Sequence, residues 1–142
     1  MTDYISGGWL WLSNGTDYLK VICEQIMWTP VMSPEIEHME GGTNFGFDLG
    51  LFYIVIKVMG IWIDSNADMV DFLSYTKSWQ QANTLQVEIV RNSSNNKEKL
   101  DGTNTVFPVF MMGGAKDWEK KPGDQEKYRC NTITFEQSGT AS

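Results

Sequence analysis

The chain has 142 residues, enough for one domain with a substantial core, and a formal net charge of −7. Such an acidic balance excludes the basic footprint of a tight nucleic-acid binder, whose affinity comes mainly from neutralising phosphates. Six tryptophans and eight methionines against a single histidine favour packing over acid–base chemistry.

The opening residues, Met1 to Gly8, lack the basic and apolar regions of a secretory signal. Cys23 and Cys130 are therefore expected as two free, buried thiols in a reducing cytoplasm, although their spacing alone does not decide whether they pair. Gly8-Trp9-Leu10-Trp11-Leu12-Ser13, Asn14-Gly15 and Asp17 to Cys23 form a hairpin signature, because Asn-Gly supplies the positive φ angles of a type I′ turn.

From Glu24 to Phe47 the alternation is lost. This stretch holds Pro30, Pro34, the acids Glu35, Glu37 and Glu40, and Gly41-Gly42. It also carries Ile26, Met27, Trp28, Val31, Met32, Ile36, Met39 and Phe45, too many apolar side chains for a solvated linker. Structureless stretches of this length are uncommon inside compact domains. A long arm lying on another surface explains both facts; an extended hairpin packed on its own domain remains equally open.

Leu51 to Ile63 reads as a strand that is apolar on both faces and must be covered on both, with a helix as the natural cover for one. Ser65 and Asp68 form a variant capping box for a helix reaching Gln81, with Met69, Phe72, Leu73, Thr76 and Trp79 on its apolar face. Asn83, which tolerates the left-handed conformation, marks its end. Leu85, Val87 and Ile89 alternate as a half-buried strand, and Arg91 to Asn104 is a polar, exposed loop. Thr105 to Met112 is the next strand, with Pro108 implying an edge or a bulge. Ala115 to Gln125 is turn-prone. In the strand from Glu126 to Phe135, Tyr128 and Cys130 take one phase while Ile133 and Phe135 take the other, which predicts a β-bulge near Asn131. Glu136 to Ser142 is expected as a flexible polar tail. These elements predict a mainly β, α+β domain over residues 1–142: an antiparallel sandwich or barrel with one packed helix.

No catalytic, cofactor or metal site emerges. His38 is the only histidine and lies in the unpatterned stretch, and no nucleophile elbow or phosphate loop is present. Glu35, Glu37, His38 and Glu40 have metal-ligand chemistry, but alternation along an extended segment sends them to two faces. Asp117, Glu119 and Asp124 sit in a soluble turn. Trp62 and Trp79 read as core, whereas Trp9, Trp11 and Trp28 suit either a subunit contact or a sugar-stacking face.

The run Phe52 to Gly60, the helix Met69 to Gln81, the strand Leu85 to Val90, a polar loop and two further strands ending Thr132-Ile133-Thr134-Phe135-Glu136 form a set. With the lead-in Gly42 to Gly50, this set resembles the tail-tube fold of long-tailed phages and related injection systems, over about residues 41–139. It is a resemblance of topology and chain size without a diagnostic motif, and it brings no catalytic residues. It implies a structural, non-enzymatic subunit of a virion tail, assembled in the host cytoplasm without a membrane or cofactor. The implied partners are copies of itself in stacked, hexameric rings, other tail proteins, and DNA passing through the lumen without tight binding. Trp28, Val31, Met32, Ile36, Met39, Phe45, Trp9 and Trp11 are the contact candidates. Terminator, adaptor and baseplate proteins share the fold, so position along a tail is not fixed. Competing readings are a carbohydrate- or receptor-binding β-sandwich module using Trp9, Trp11 and Trp28, and a small hydrolase using His38 or the nearby acids.

Overall fold

A computed structural model describes residues 2–32, 52–120 and 127–142. In chain order the elements are β1 (Thr2–Ile5), β2 (Leu10–Ser13), β3 (Asp17–Met32), β4 (Phe52–Ile63), α1 (Asn66–Gln81), β5 (Gln86–Ile89), β6 (Phe107–Lys120) and β7 (Tyr128–Gln137). Among the described residues the protein is mainly β, a closed antiparallel barrel of six strands with one helix packed on it. Round the barrel the order is β3-β2-β5-β6-β7-β4, closed by pairing of β4 with β3.

Closure depends on the length of β3. Its first residues pair with β2 from Tyr18 to Val21, and its remainder pairs with β4 from Ile22 to Met32. The alternation that fades after Glu24 therefore does not end the strand. Residues Glu24 to Met32 continue as strand against β4, which overturns this part of the expected arm; its remaining positions, 33–47, lie outside the described residues. β1, not expected from the sequence, adds in parallel to β3 at Asp17 to Leu19.

The phase of the pleat inverts along one line across the sheet. On β4 the buried residues are Ile54, Ile56 and Val58, then Ile61 and Ile63; on β7 they are Cys130, then Ile133 and Phe135. On β3 the core-facing residues are Leu19, Val21 and Cys23, then Ile26. All three changes fall at the level of Glu24, Gly60 and Asn131, with the β3–β4 and β4–β7 registers unbroken. The slip predicted near Asn131 is thus real, but β7 carries no inserted residue against β4. The irregularity lies in β6: Met112 faces Thr134 and Lys116 faces Thr132, so β6 has two extra residues over that interval. Gly60 supplies the left-handed geometry, with φ of +68°.

Above Gly60 lies the side chain of Glu24. Its Oε2 accepts from Trp62 Nε1 and from Arg129 Nε, each at 2.7 Å, and its Oε1 accepts from Arg129 Nη2 at 3.1 Å. This bidentate pair ties β3 to β7 across β4. The Arg129 guanidinium and then the Trp62 indole hold the Glu24 carboxyl below its ordinary value.

The helix begins as predicted, with Ser65 Oγ accepting from Asp68 N at 3.1 Å, and ends before Asn83, whose φ is +58°. Phe72, Thr76 and Trp79 are buried, while Leu73, expected on the same face, is exposed. The helix packs against β1, β4 and β6. Phe72 meets Trp118 of β6 edge-on, and Tyr75 stacks on Tyr4 of β1 with ring centroids 4.0 Å apart. Gln80 Oε1 accepts from Met111 N at 2.8 Å, giving the β6 backbone a partner where β5 has run out.

Three further expectations are revised. The Asn14-Gly15 turn is not type I′: only Gly15 has positive φ, and Asn14 Oδ1 accepts from Thr16 N and Asp17 N in a side-chain-closed loop. Pro108 lies near the start of β6, which is an interior strand and not an edge; β6 does carry an irregularity, but between Met112 and Lys116. The expected flexible tail is held: β7 runs through Gln137, and Ser142 exchanges backbone hydrogen bonds with Val106 while Ser138 N donates to Pro108 O.

Gly60→Ala tests the inversion point. A Cβ there would lie 2.4 Å from Glu24 Cδ in addition to straining the backbone. The expected outcome is a loss of at least about 1–2 kcal/mol in urea unfolding, the ordinary cost of a left-handed non-glycine residue.

Candidate functional site

Two surfaces hold most of the exposed apolar and aromatic side chains of the described residues; Ile22 on β3 and Val70 and Leu73 on the helix are exposed elsewhere. The first is the outer face of the sheet β3-β4-β7-β6. Directly opposed residues share a face of a pleated sheet. The register sets Met27, Lys57, Thr134 and Met112 in one row and Thr29, Val55, Glu136 and Phe110 in a parallel row. Between these two lies the inner row Trp28, Ile56, Phe135 and Met111, of which Ile56 and Phe135 are fully buried. Met27, Phe110 and Met112 therefore point outward, 41, 39 and 45% exposed. Large apolar side chains gathered on one face, interleaved with Lys57 and Glu136, match the mixed composition of protein contact surfaces.

Of the predicted contact residues, Trp28, Val31 and Met32 fall together on the far half of β3. Trp28 has the inward phase yet remains 37% exposed, because β2 pairs with β3 only as far as Val21 and does not reach it. Ile36, Met39 and Phe45 lie outside the described residues, as do Glu35, Glu37, His38 and Glu40. Phe110 and Met112, exposed on the same face, are not among the residues singled out from the sequence. Their signal is the run Phe107 to Met112, apolar at five of its six positions, which places apolar side chains on both faces of the strand.

The second surface holds Trp9 and Trp11, on the opposite half of β3 from Trp28; the early tryptophans form no single cluster. A cleft of about 290 Å³ opens between the β1–β2 connection and the loop after β5. Gly8 lets the connection touch β3: a Cβ at Gly8 would fall 2.0 Å from the Val21 carbonyl. Trp9 is 47% exposed at the cleft, with its carbonyl accepting from Val90 N at 2.9 Å. Trp11 Nε1 donates to Gly8 O, and the Lys20 and Lys97 ammonium groups lie 4.0 and 3.6 Å from its ring centroid. Lys20 also pairs with Asp3 at 2.9 Å. Glu88, opposite Trp11 on β5, is half-buried, and burial raises its carboxyl above the ordinary value against the pull of Lys97 and Lys20.

Among the described residues no group of three or more His, Cys, Asp or Glu side chains is placed to hold a metal ion, and no helix is long and apolar enough to cross a membrane. The fold and these two surfaces define a small β-barrel with apolar side chains exposed on its outer face and a separate aromatic cleft. Comparison with protein-family models, curated proteins and solved structures gives no match.

Cys23 and Cys130 flank Ile61 in one row across β3, β4 and β7. Two strand spacings separate them, about 10 Å, beyond the roughly 7 Å limit between Cα atoms for a disulfide. Burial pushes the Cys23 thiol from its ordinary 9.0 up to about 11. Modification of native Cys23 by a thiol reagent should be slow at neutral pH and accelerate as pH approaches that value. Unfolded chains lose this proton first, so its stability contribution is full below pH 9.0 and is lost as pH rises through about 11. Comparing wild type with Cys23→Ser in alkaline urea melts isolates that slope.

Proposed function

We propose that the chain is a non-enzymatic structural subunit that assembles with copies of itself into stacked rings around a channel, as the resemblance to phage tail-tube proteins implies. The observation that carries this reading is the outer sheet face bearing Met27, Phe110 and Met112. A β-barrel subunit with a net charge of −7 suits such a role, because negative charge along a channel keeps DNA from binding as it passes. Val31, in the same outward phase as Met27 and Thr29, continues this face toward the end of β3, and the exposed Trp28 lies beside it in the inward phase. Contacts of this kind between unlike surfaces close into rings or propagate as filaments.

The test is assembly. At rising concentration, light scattering coupled to size exclusion and negative-stain microscopy should show rings or tubes. The double variant Met27→Asp, Phe110→Asp should remain monomeric at least about tenfold above the wild-type assembly concentration, since charges buried at a contact cost several kcal/mol. Its far-UV circular dichroism should match that of the wild type. A wild-type protein that stays monomeric throughout would overturn the reading.

A further inference from the structure

We propose that the cleft beside Trp9 binds one neutral pyranose unit of a saccharide, with the Trp9 indole as its stacking platform. This goes beyond the assembly reading and does not depend on it, because the cleft lies away from the outer face of Met27, Phe110 and Met112.

The size fits a single ring. At about 290 Å³ the cleft stands at the lower bound of small-ligand pockets, roughly 300 Å³. The chemistry is divided as a sugar requires, with one aromatic face for the apolar C–H side of the ring and polar groups for its hydroxyls. Trp11 cannot serve as the platform, because Lys20 and Lys97 already sit on its ring. Trp9 is 47% exposed and has no such cover among the described residues.

The polar groups are of the right kind. Asp3 supplies carboxylate acceptors and Lys20 ammonium donors, and their ion pair sets them side by side, as adjacent hydroxyls demand. Asn92 and Asn95 complete the rim. The Asn92 Oδ1 accepts from Ser94 N and Asn96 N, which fixes the side chain and leaves its amide NH₂ to donate.

Preorganisation is the third argument. The Trp9 backbone is tied to Val90, the Gly8 backbone lies against Val21, and the loop after β5 is closed by Arg91 N donating to Asn96 O at 2.6 Å. A site built before its ligand arrives loses less ordering entropy on binding. Charge selects against acidic ligands: Asp3 and Lys20 cancel, and the net charge of −7 repels anions at a distance.

The experiment uses the full chain with glucose, galactose, mannose, N-acetylglucosamine, maltose and lactose, and with glucuronic acid as the charged counterpart. Saturation-transfer NMR and tryptophan fluorescence titration give the readout. The expected result is saturable binding of at least one neutral sugar at about millimolar affinity. Trp9→Ala should weaken it about tenfold or more, Trp9→Phe should retain most of it, Asp3→Asn should weaken it several-fold, and Trp28→Ala should leave it unchanged. No saturable binding of any neutral sugar, binding confined to glucuronic acid, or equal loss in Trp28→Ala would overturn the proposal.

Discussion

The constraint on which the structure depends is the inversion of the pleat at Glu24, Gly60 and Asn131. Side chains of a strand alternate strictly, so a long strand cannot keep apolar groups inward through a sharp change of direction unless its phase changes. Here three neighbouring strands change phase at one level without losing mutual register, and the fourth, β6, accommodates the change with two extra residues. Gly60 makes the backbone turn possible, and Glu24 fills the space above it while joining Trp62 and Arg129. β3 passes from β2 to β4 between Val21 and Ile22, just before this line, and its pairing with β4 on both sides of the line closes the barrel.

Closure leaves two places where β6 and β3 lack strand partners, and each is met differently. Beyond β5, the helix supplies Gln80 to the Met111 backbone and Phe72 to Trp118. Beside the start of β3, β1 pairs in parallel where β4 does not extend. Side chains also remain uncovered, in the outer rows of β3, β4, β7 and β6. The assembly reading rests on those rows, whereas the cleft at Trp9 is a by-product of how Gly8 folds the β1–β2 connection onto Val21.

Much of this was legible in the sequence. The long apolar run of β4, the Ser65 cap, the Asn83 stop and the phase slip between Cys130 and Ile133 each carry a local signal strong enough to survive tertiary context. β1 was not legible, since Thr2 to Ile5 is too short to show alternation and is held as a strand by its contact with β3. The continuation of β3 past Glu24 was hidden by the inversion itself, which breaks the alternation just where the strand goes on. The contact face was legible only in part. Trp28, Val31 and Met32 stand out by composition, but Phe110 and Met112 acquire meaning only when the register sets them beside Met27. The last segment read as a loose tail because its side chains are small and polar, while its order comes from backbone bonds to Val106 and Pro108.

The central claim is that the outer sheet face is covered by another copy of the chain. Methionine oxidation reads this directly, since peroxide attacks exposed thioethers and spares covered ones. Met27 and Met112 are both outward on that face, 41 and 45% exposed in the single chain. Mass spectrometry of protein treated with peroxide in dilute and in concentrated solution should show both residues reacting in the first and protected in the second. Equal oxidation of Met27 and Met112 at every concentration would contradict the account.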